Sequence, residues 1–238
     1  MSGHSHAKTV AATKNANDAK KGKIFSKLGR FITLIVKEKG GDPTNPALKA
    51  AIDKAREFNM PKENIERAIK KGTGELAGEN LEEVSFEALG PGGVAIVMDG
   101  ITDNKNRTLG EVKGIVGQFG GKLAGEGAVR WMFERKGFIA IPCEETKKEE
   151  LELIAIEAGA DDVIWKNGML EIYTKPEDFE TVKKTLEEKG QKIESQSLDW
   201  TAKEEVSVEE KERAKLQNLF DALDDNDAIQ NIYSNLKN

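Results

Sequence analysis

Val163-Ile164-Trp165, Lys166-Asn167-Gly168 and Met169-Leu170-Glu171-Ile172-Tyr173-Thr174 read as two short strands around an Asn-Gly pair, the strongest short-range sign of a β-hairpin. On the N-terminal side of this hairpin, Phe138 to Ile141 is an apolar run of strand length. Thr146 with Glu149 then reads as a capping box for a helix carrying Leu151, Ile154, Ala155 and Ala158, closed by Gly159. On the other side Pro176 opens a helix with Phe179, Val182 and Leu186, Gly190 stops it, and a last strand carries Leu198 and Trp200. The order is βαββαβ, the split unit of ferredoxin-like folds.

The segments flanking this unit look like one domain cut in two. Before it, Val84, Phe86 and Ala88 alternate, Gly90-Pro91-Gly92-Gly93 turns, and Val94 to Met98 is a buried-strand run. Leu109, Val112, Ile115, Val116 and Phe119 follow at helical spacing, Lys122 to Ala124 suits a short strand, and Val129, Trp131 and Phe133 alternate as a further strand. After it, Ser207 with Glu210 reads as a capping box for a helix carrying Leu216, Leu219, Phe220 and Leu223. Ala228 to Leu236 fits a helix or an edge strand, and a strand would complete a second ferredoxin-like domain.

The N-terminal third is helical. Phe25, Leu28, Ile32, Ile35 and Val36 recur at helical spacing until Gly40-Gly41. Pro46 and Pro61 open two more helices, the second ended by Gly72. The expected fold is α+β in three domains: an N-terminal helical domain followed by two ferredoxin-like α/β domains, the third inserted in the second. The expected boundaries are a basic arm over 1–22, a helical domain over 23–76, a discontinuous α/β domain over 77–135 plus 204–238, and an inserted domain over 136–203.

Charge divides along the same lines. Residues 1–76 carry 16 of the 36 Lys and Arg but only 8 of the 42 Asp and Glu, so a net charge of −6 conceals a basic end on an acidic body. A basic arm on an acidic body suggests contact with phosphates at one end only. The single Cys143 cannot form an intrachain disulfide, and both histidines lie in the first six residues, which removes zinc sites and His-dependent triads from consideration. No apolar run spans a membrane and the start lacks a secretory core segment, so the expected location is the cytoplasm.

Lys14, Lys20, Lys21, Lys23, Lys27 and Arg30 cluster at the junction of arm and first helix, where mobile cations can neutralise phosphates and release counterions. Lys70 and Lys71 extend the basic set, with Lys62 and Arg67 beside them, though a cation in a last helical turn also answers the helix dipole. Thr102-Asp103-Asn104-Lys105-Asn106-Arg107-Thr108 stands between strand and helix. Asn104, Asn106 and Arg107 could bond phosphate there, while the plain alternative is a helix cap. Gly72-Thr73-Gly74 follows a helix and is no dinucleotide fingerprint. Asp224-Asp225-Asn226-Asp227 lacks the spacing of a calcium loop and reads as a turn. Ser2-Gly3-His4 could offer a tetragonal nitrogen set to copper or nickel only by accident of sequence. No cofactor, resident metal or catalytic group is expected. A nuclease would need carboxylates that converge in space, and an adaptor would work through ferredoxin-like surfaces.

Met1-Ser2-Gly3-His4-Ser5, Asp18-Ala19-Lys20-Lys21-Gly22-Lys23-Ile24-Phe25, Gly40-Gly41-Asp42-Pro43, Asn59-Met60-Pro61-Lys62-Glu63-Asn64-Ile65-Glu66-Arg67-Ala68-Ile69-Lys70-Lys71-Gly72-Thr73-Gly74, Gly90-Pro91-Gly92-Gly93-Val94-Ala95, the 102–108 loop and Met132-Phe133-Glu134-Arg135-Lys136-Gly137 together resemble the YebC/PmpR family. The resemblance covers nearly the whole chain. It implies three domains, the first helical and two α/β, and a part in regulating gene expression, by DNA binding at promoters in some members and on the ribosome in others, a mitochondrial relative being a translational activator. One departure stands out: the family's opening continues with a Trp and a more basic run, where this chain has Ser5-His6-Ala7-Lys8-Thr9-Val10. The expected function is a non-enzymatic, RNA-facing translation factor whose partner is the ribosome or its RNA, with a DNA-binding transcriptional regulator as the alternative. No membrane partner or small-molecule substrate is expected.

Overall fold

The structure is a computed structural model and describes residues 18–237. It is a mixed helix and sheet protein in which N-terminal helices precede two antiparallel sheets. Met132–Glu204 forms one compact unit, and residues 18–131 with 205–237 form the other.

In the larger unit, helix α1 (Asp18–Lys39) ends at Gly40, whose φ of 84° is the left-handed conformation that glycine adopts without strain. Helix α2 (Pro46–Glu57) starts with proline at its first position, and the Asn45 side chain accepts the Ala47 N–H at 2.9 Å. Helix α3 (Lys62–Thr73) packs on α1 at Gly72, where an added Cβ would fall 2.6 Å from Val36 Cβ and 2.7 Å from the Thr33 carbonyl. Leu28, Ile32, Val36, Leu48, Ala55, Ile65 and Ala68 form the small core of these three helices.

Strands β1 (Glu82–Leu89) and β2 (Ala95–Thr102) make a hairpin, helix α4 (Lys105–Gln118) follows, and β3 (Lys122–Ala124) pairs with β1. After the insertion, helix α7 (Glu210–Asp224) and strand β8 (Ile229–Ser234) complete the unit, β8 pairing antiparallel with β2 from Ile96↔Ser234 to Gly100↔Ile229. The tail is therefore helix then strand. Strand order β3-β1-β2-β8 puts the hairpin at the centre of this sheet. Val84, Phe86, Ile96, Met98, Val112, Leu216, Leu219 and Leu223 fill the core between the sheet and helices α4 and α7.

The inserted unit runs β4 (Phe133–Pro142), α5 (Lys148–Glu157), β5 (Asp162–Lys166), β6 (Met169–Thr174), α6 (Phe179–Glu188), β7 (Ser195–Ala202). Its strand order, β5-β6-β4-β7, is that of the split βαββαβ unit, with the hairpin lateral. Asn167 at φ 52° and Gly168 at φ 77° make the tight turn the sequence signals. Ile139, Ile141, Leu170 and Ile172 of the sheet pack with Val182 and Leu186 of α6 as its core.

Three local expectations are corrected. Residues 129–132 do not form a strand: Arg130–Met132 is a 3-10 turn, and Trp131 is 64% exposed. The cause is Glu87 on β1, 3% exposed, whose carboxylate accepts the N–H groups of Gly127, Val129 and Arg130 at 2.7, 2.8 and 3.0 Å, so two of the four residues expected to open a ladder there have their donors committed elsewhere. The two capping boxes do not form either. A 3-10 turn over Glu145–Lys147 precedes α5, and α7 begins from Glu209 without a side-chain cap. Val206 is instead bonded to the C-terminal segment, its N–H donating to the Asn235 carbonyl at 2.7 Å.

Candidate nucleic-acid interface

The sequence-predicted cations separate into two groups. Lys14 lies outside the described residues, and Lys20 sits in the first turn of α1, where the backbone alone is described. Lys21 is exposed on the same turn. The next three are engaged by the α/β body. Lys23 Nζ lies 2.8 Å from Asp225 Oδ1. Lys27 Nζ meets both the carbonyl and the carboxylate of Asp224, at 2.6 and 2.9 Å. Arg30 donates to the Ile101 carbonyl at 3.3 Å and lies 3.8 Å from Glu79. Asp224 ends α7, where unpaired carbonyls attract cations. The acidic turn is thus the anchor for α1.

Helix α3 presents the other group. Arg67, Lys70 and Lys71 are exposed and form no ion pair among the described residues, while Lys62 reaches Glu66 at 3.5 Å. Lys70 and Lys71 occupy the last turn, and the helix closes at Gly74 in the left-handed conformation. Beside them runs a groove of about 380 Å³ between α1 and α3. Its α1 wall is Gly22, Phe25, Ser26, Gly29, Arg30 and Thr33, and its other lining includes Met60, Asn64, Arg67 and Lys71, with Glu79 and Leu81. Arg67 donates to the Asn64 side chain at 3.2 Å. The positions 22, 26, 29 and 33 share one helix face at i, i+4, i+7 and i+11.

The loop at 102–108 is built mainly as a cap. Asn104 accepts the Arg107 N–H at 3.0 Å, and the buried Thr102 and Thr108 hydroxyls bond each other at 2.8 Å. Arg107 forks onto the Asp103 carboxylate, one nitrogen at 3.2 Å, and approaches Glu111 at 3.7 Å. The hydrogen bond from Arg107 holds the Asp103 carboxyl below its ordinary range, and Asp103 raises Arg107 in turn. Asn106 is exposed on the first turn of α4. A second cleft of about 240 Å³ gathers Arg30, Arg107 and Glu111 with Asp225, Asn226 and Asp227, a mixed-charge set that does not single out an anion.

Sequence reasoning brings Lys70 and Lys71 to the exposed face, and it misses Phe25, Asn64 and the glycine floor of the groove. The available signal was a pair of glycines seven apart inside a helix, each disfavoured by about 1 kcal/mol relative to alanine. Among the described residues no group of three or more His, Cys, Asp or Glu is arranged to hold a metal, and no helix is long and apolar enough to cross a membrane.

Comparison with known proteins covers the whole architecture. A family model described as "TACO1/YebC protein N-terminal domain" matches residues 5–75, and one described as "TACO1/YebC second and third domain" matches residues 81–236. A "Probable transcriptional regulatory protein" of Halothermothrix orenii is 46% identical, over 99% of this chain and 94% of its own. One of the same description from Thermotoga petrophila is 47% identical over 100% of this chain and 94% of its own. Among solved structures, a "Conserved Hypothetical Protein" of Aquifex aeolicus superposes with a TM-score of 0.80 at 44% identity, covering 92% of this chain and 91% of that one.

Proposed function

Since the chain belongs to the TACO1/YebC family, we propose that it is a non-enzymatic, cytoplasmic regulator of gene expression that binds RNA on the ribosome through its basic N-terminal domain. The observation that carries this reading is the exposed Arg67, Lys70 and Lys71 on α3, without ion pairs among the described residues, on a chain whose remainder is acidic. Cations of this kind bind phosphate with little regard to sequence, and an acidic body repels long duplex DNA while tolerating a docked, local contact. Lys20 and Lys21 in the first turn of α1 add to the same charge. The test is sedimentation of a cell lysate through sucrose at low salt. Co-migration with ribosomal particles is expected, and a protein that stays at the top of the gradient overturns the reading.

A second reading has one observation in its favour: relatives at 44–48% identity carry the description of transcriptional regulators. DNA binding at a promoter predicts a sequence-specific gel shift that survives about 150 mM salt. Binding that vanishes at that salt, or that ignores sequence, decides against it.

A further inference from the structure

We infer that the groove between α1 and α3 is a binding site for a single unpaired nucleotide, with the base lying on the bare floor of α1 against Phe25 and the adjoining phosphates held by Arg67 and Lys71. This rests on the RNA-binding reading above and specifies what that surface takes.

The lining supplies each kind of contact that a nucleotide needs. An unstacked base seeks a flat apolar surface, which the half-buried Phe25 offers, with the buried Met60 and Leu81 also lining the space. Its polar edge seeks amides and hydroxyls, and Asn64 and Ser26 line the same space. Its phosphates seek cations on the rim, where Arg67 and Lys71 stand exposed. Arg30 also lines the space, but it is already shared between the Ile101 carbonyl and Glu79. At about 380 Å³ the space falls in the range of about 300–1000 Å³ typical of small-ligand pockets. A base still paired in a duplex cannot enter such a slot, whereas one from a loop, bulge or single strand can.

The floor gives independent support. At Gly72 the fold itself forbids a side chain, because a Cβ would strike Val36. Among the described residues no such contact exists at Gly22, where none of their atoms lies within 4 Å of the position a Cβ would take, and at Gly29 the nearest atom, Met60 Cε, is at an ordinary 3.8 Å. Both glycines weaken the helix that contains them, and no packing against the described residues requires either. Their effect is to keep the groove open.

The test uses the full-length protein and a fluorescein-labelled eight-nucleotide single-stranded RNA, followed by anisotropy, with an abasic oligomer of equal charge and a duplex as comparison probes. Wild type is expected to bind the single strand about tenfold more tightly than the abasic oligomer, toward the low end of what stacking on an aromatic ring is worth. Gly22→Leu, which fills the floor, should remove that preference while circular dichroism shows a folded helix. Arg67→Gln, on an exposed position, should weaken both single-stranded probes equally. Wild type that binds no RNA overturns both this site and the function above. RNA binding by wild type that is indifferent to the missing bases and to Gly22→Leu overturns the groove alone.

Discussion

Lys27 Nζ reaches the backbone carbonyl of Asp224 at 2.6 Å and its carboxylate at 2.9 Å, joining residues 197 apart in the chain. With the Lys27 side chain 13% exposed, this contact ties α1 to the end of α7 from a partly dry position. Lys27→Met, which keeps the aliphatic stem, should lower stability by about 1–2 kcal/mol in urea denaturation. Lys23→Met, at a pair 42% and 62% exposed, should cost less than about 0.5 kcal/mol. Equal losses would mean that the buried contact carries no special weight.

Glu87 offers a test by pH. Burial pushes its carboxyl upward, but the N–H groups of Val129, Gly127 and Arg130 and the Arg130 charge outweigh burial and hold it below its ordinary value. The ionised form therefore stabilises the fold fully above the ordinary glutamate value of 4.5, and that contribution drains away as pH falls through the lower folded value. Glu87→Gln should cost about 2–4 kcal/mol at neutral pH, and the gap from wild type should close as the solution is made more acid. A gap independent of pH between about 7 and 3 would contradict the assignment.

Asn104 caps α4 through the Arg107 N–H. Asn104→Ala should destabilise the protein by about 1 kcal/mol, and Asn104→Asp should leave it nearly unchanged, since an aspartate accepts the same bond. Thermal melting of the two variants side by side distinguishes a cap from a residue retained for binding.

Salt dependence separates the two groups of lysines. Replacing Lys70 and Lys71 with Gln should flatten log K against log salt for a single-stranded RNA by about 1.4 units, roughly 0.7 for each phosphate that is no longer neutralised. Lys23→Gln with Lys27→Gln should leave the slope nearly as it was, because those ammonium groups are already opposed by Asp225 and Asp224. Binding at four salt concentrations is sufficient to compare the slopes.

The division between what was legible in the sequence and what was not follows the range of the interactions. Periodicity and turn chemistry are local, so the Asn167-Gly168 hairpin, the proline-led start of α2 and the glycine end of α1 could be read directly. The helix–strand tail required a further argument from the missing strand beside β2. What local pattern does not show is contact made at long range. Glu87 takes the N–H groups about 40 positions away and turns an alternating stretch into a loop, and Asp224 and Asp225 capture lysines that read as part of a phosphate-binding arm. The 102–108 loop shows the same limit: seven polar residues in a row do not announce that Thr102 bonds Thr108 and that Arg107 bonds Asp103.

The pairing of β2 with β8 fixes an order of events while the chain is being made. Residues 132–204 emerge whole and can close their own sheet, whereas Ile96 and Met98 must wait for Ser234 and Ile232, more than 130 positions later, before their sheet gains its fourth strand. Domains generally fold as units as they are synthesised, and distant pairings come late. The inserted domain should therefore mature first, leaving the part of the β1–β2 apolar face that α4 does not cover exposed throughout its synthesis and dependent on chaperones or rapid elongation until α7 arrives.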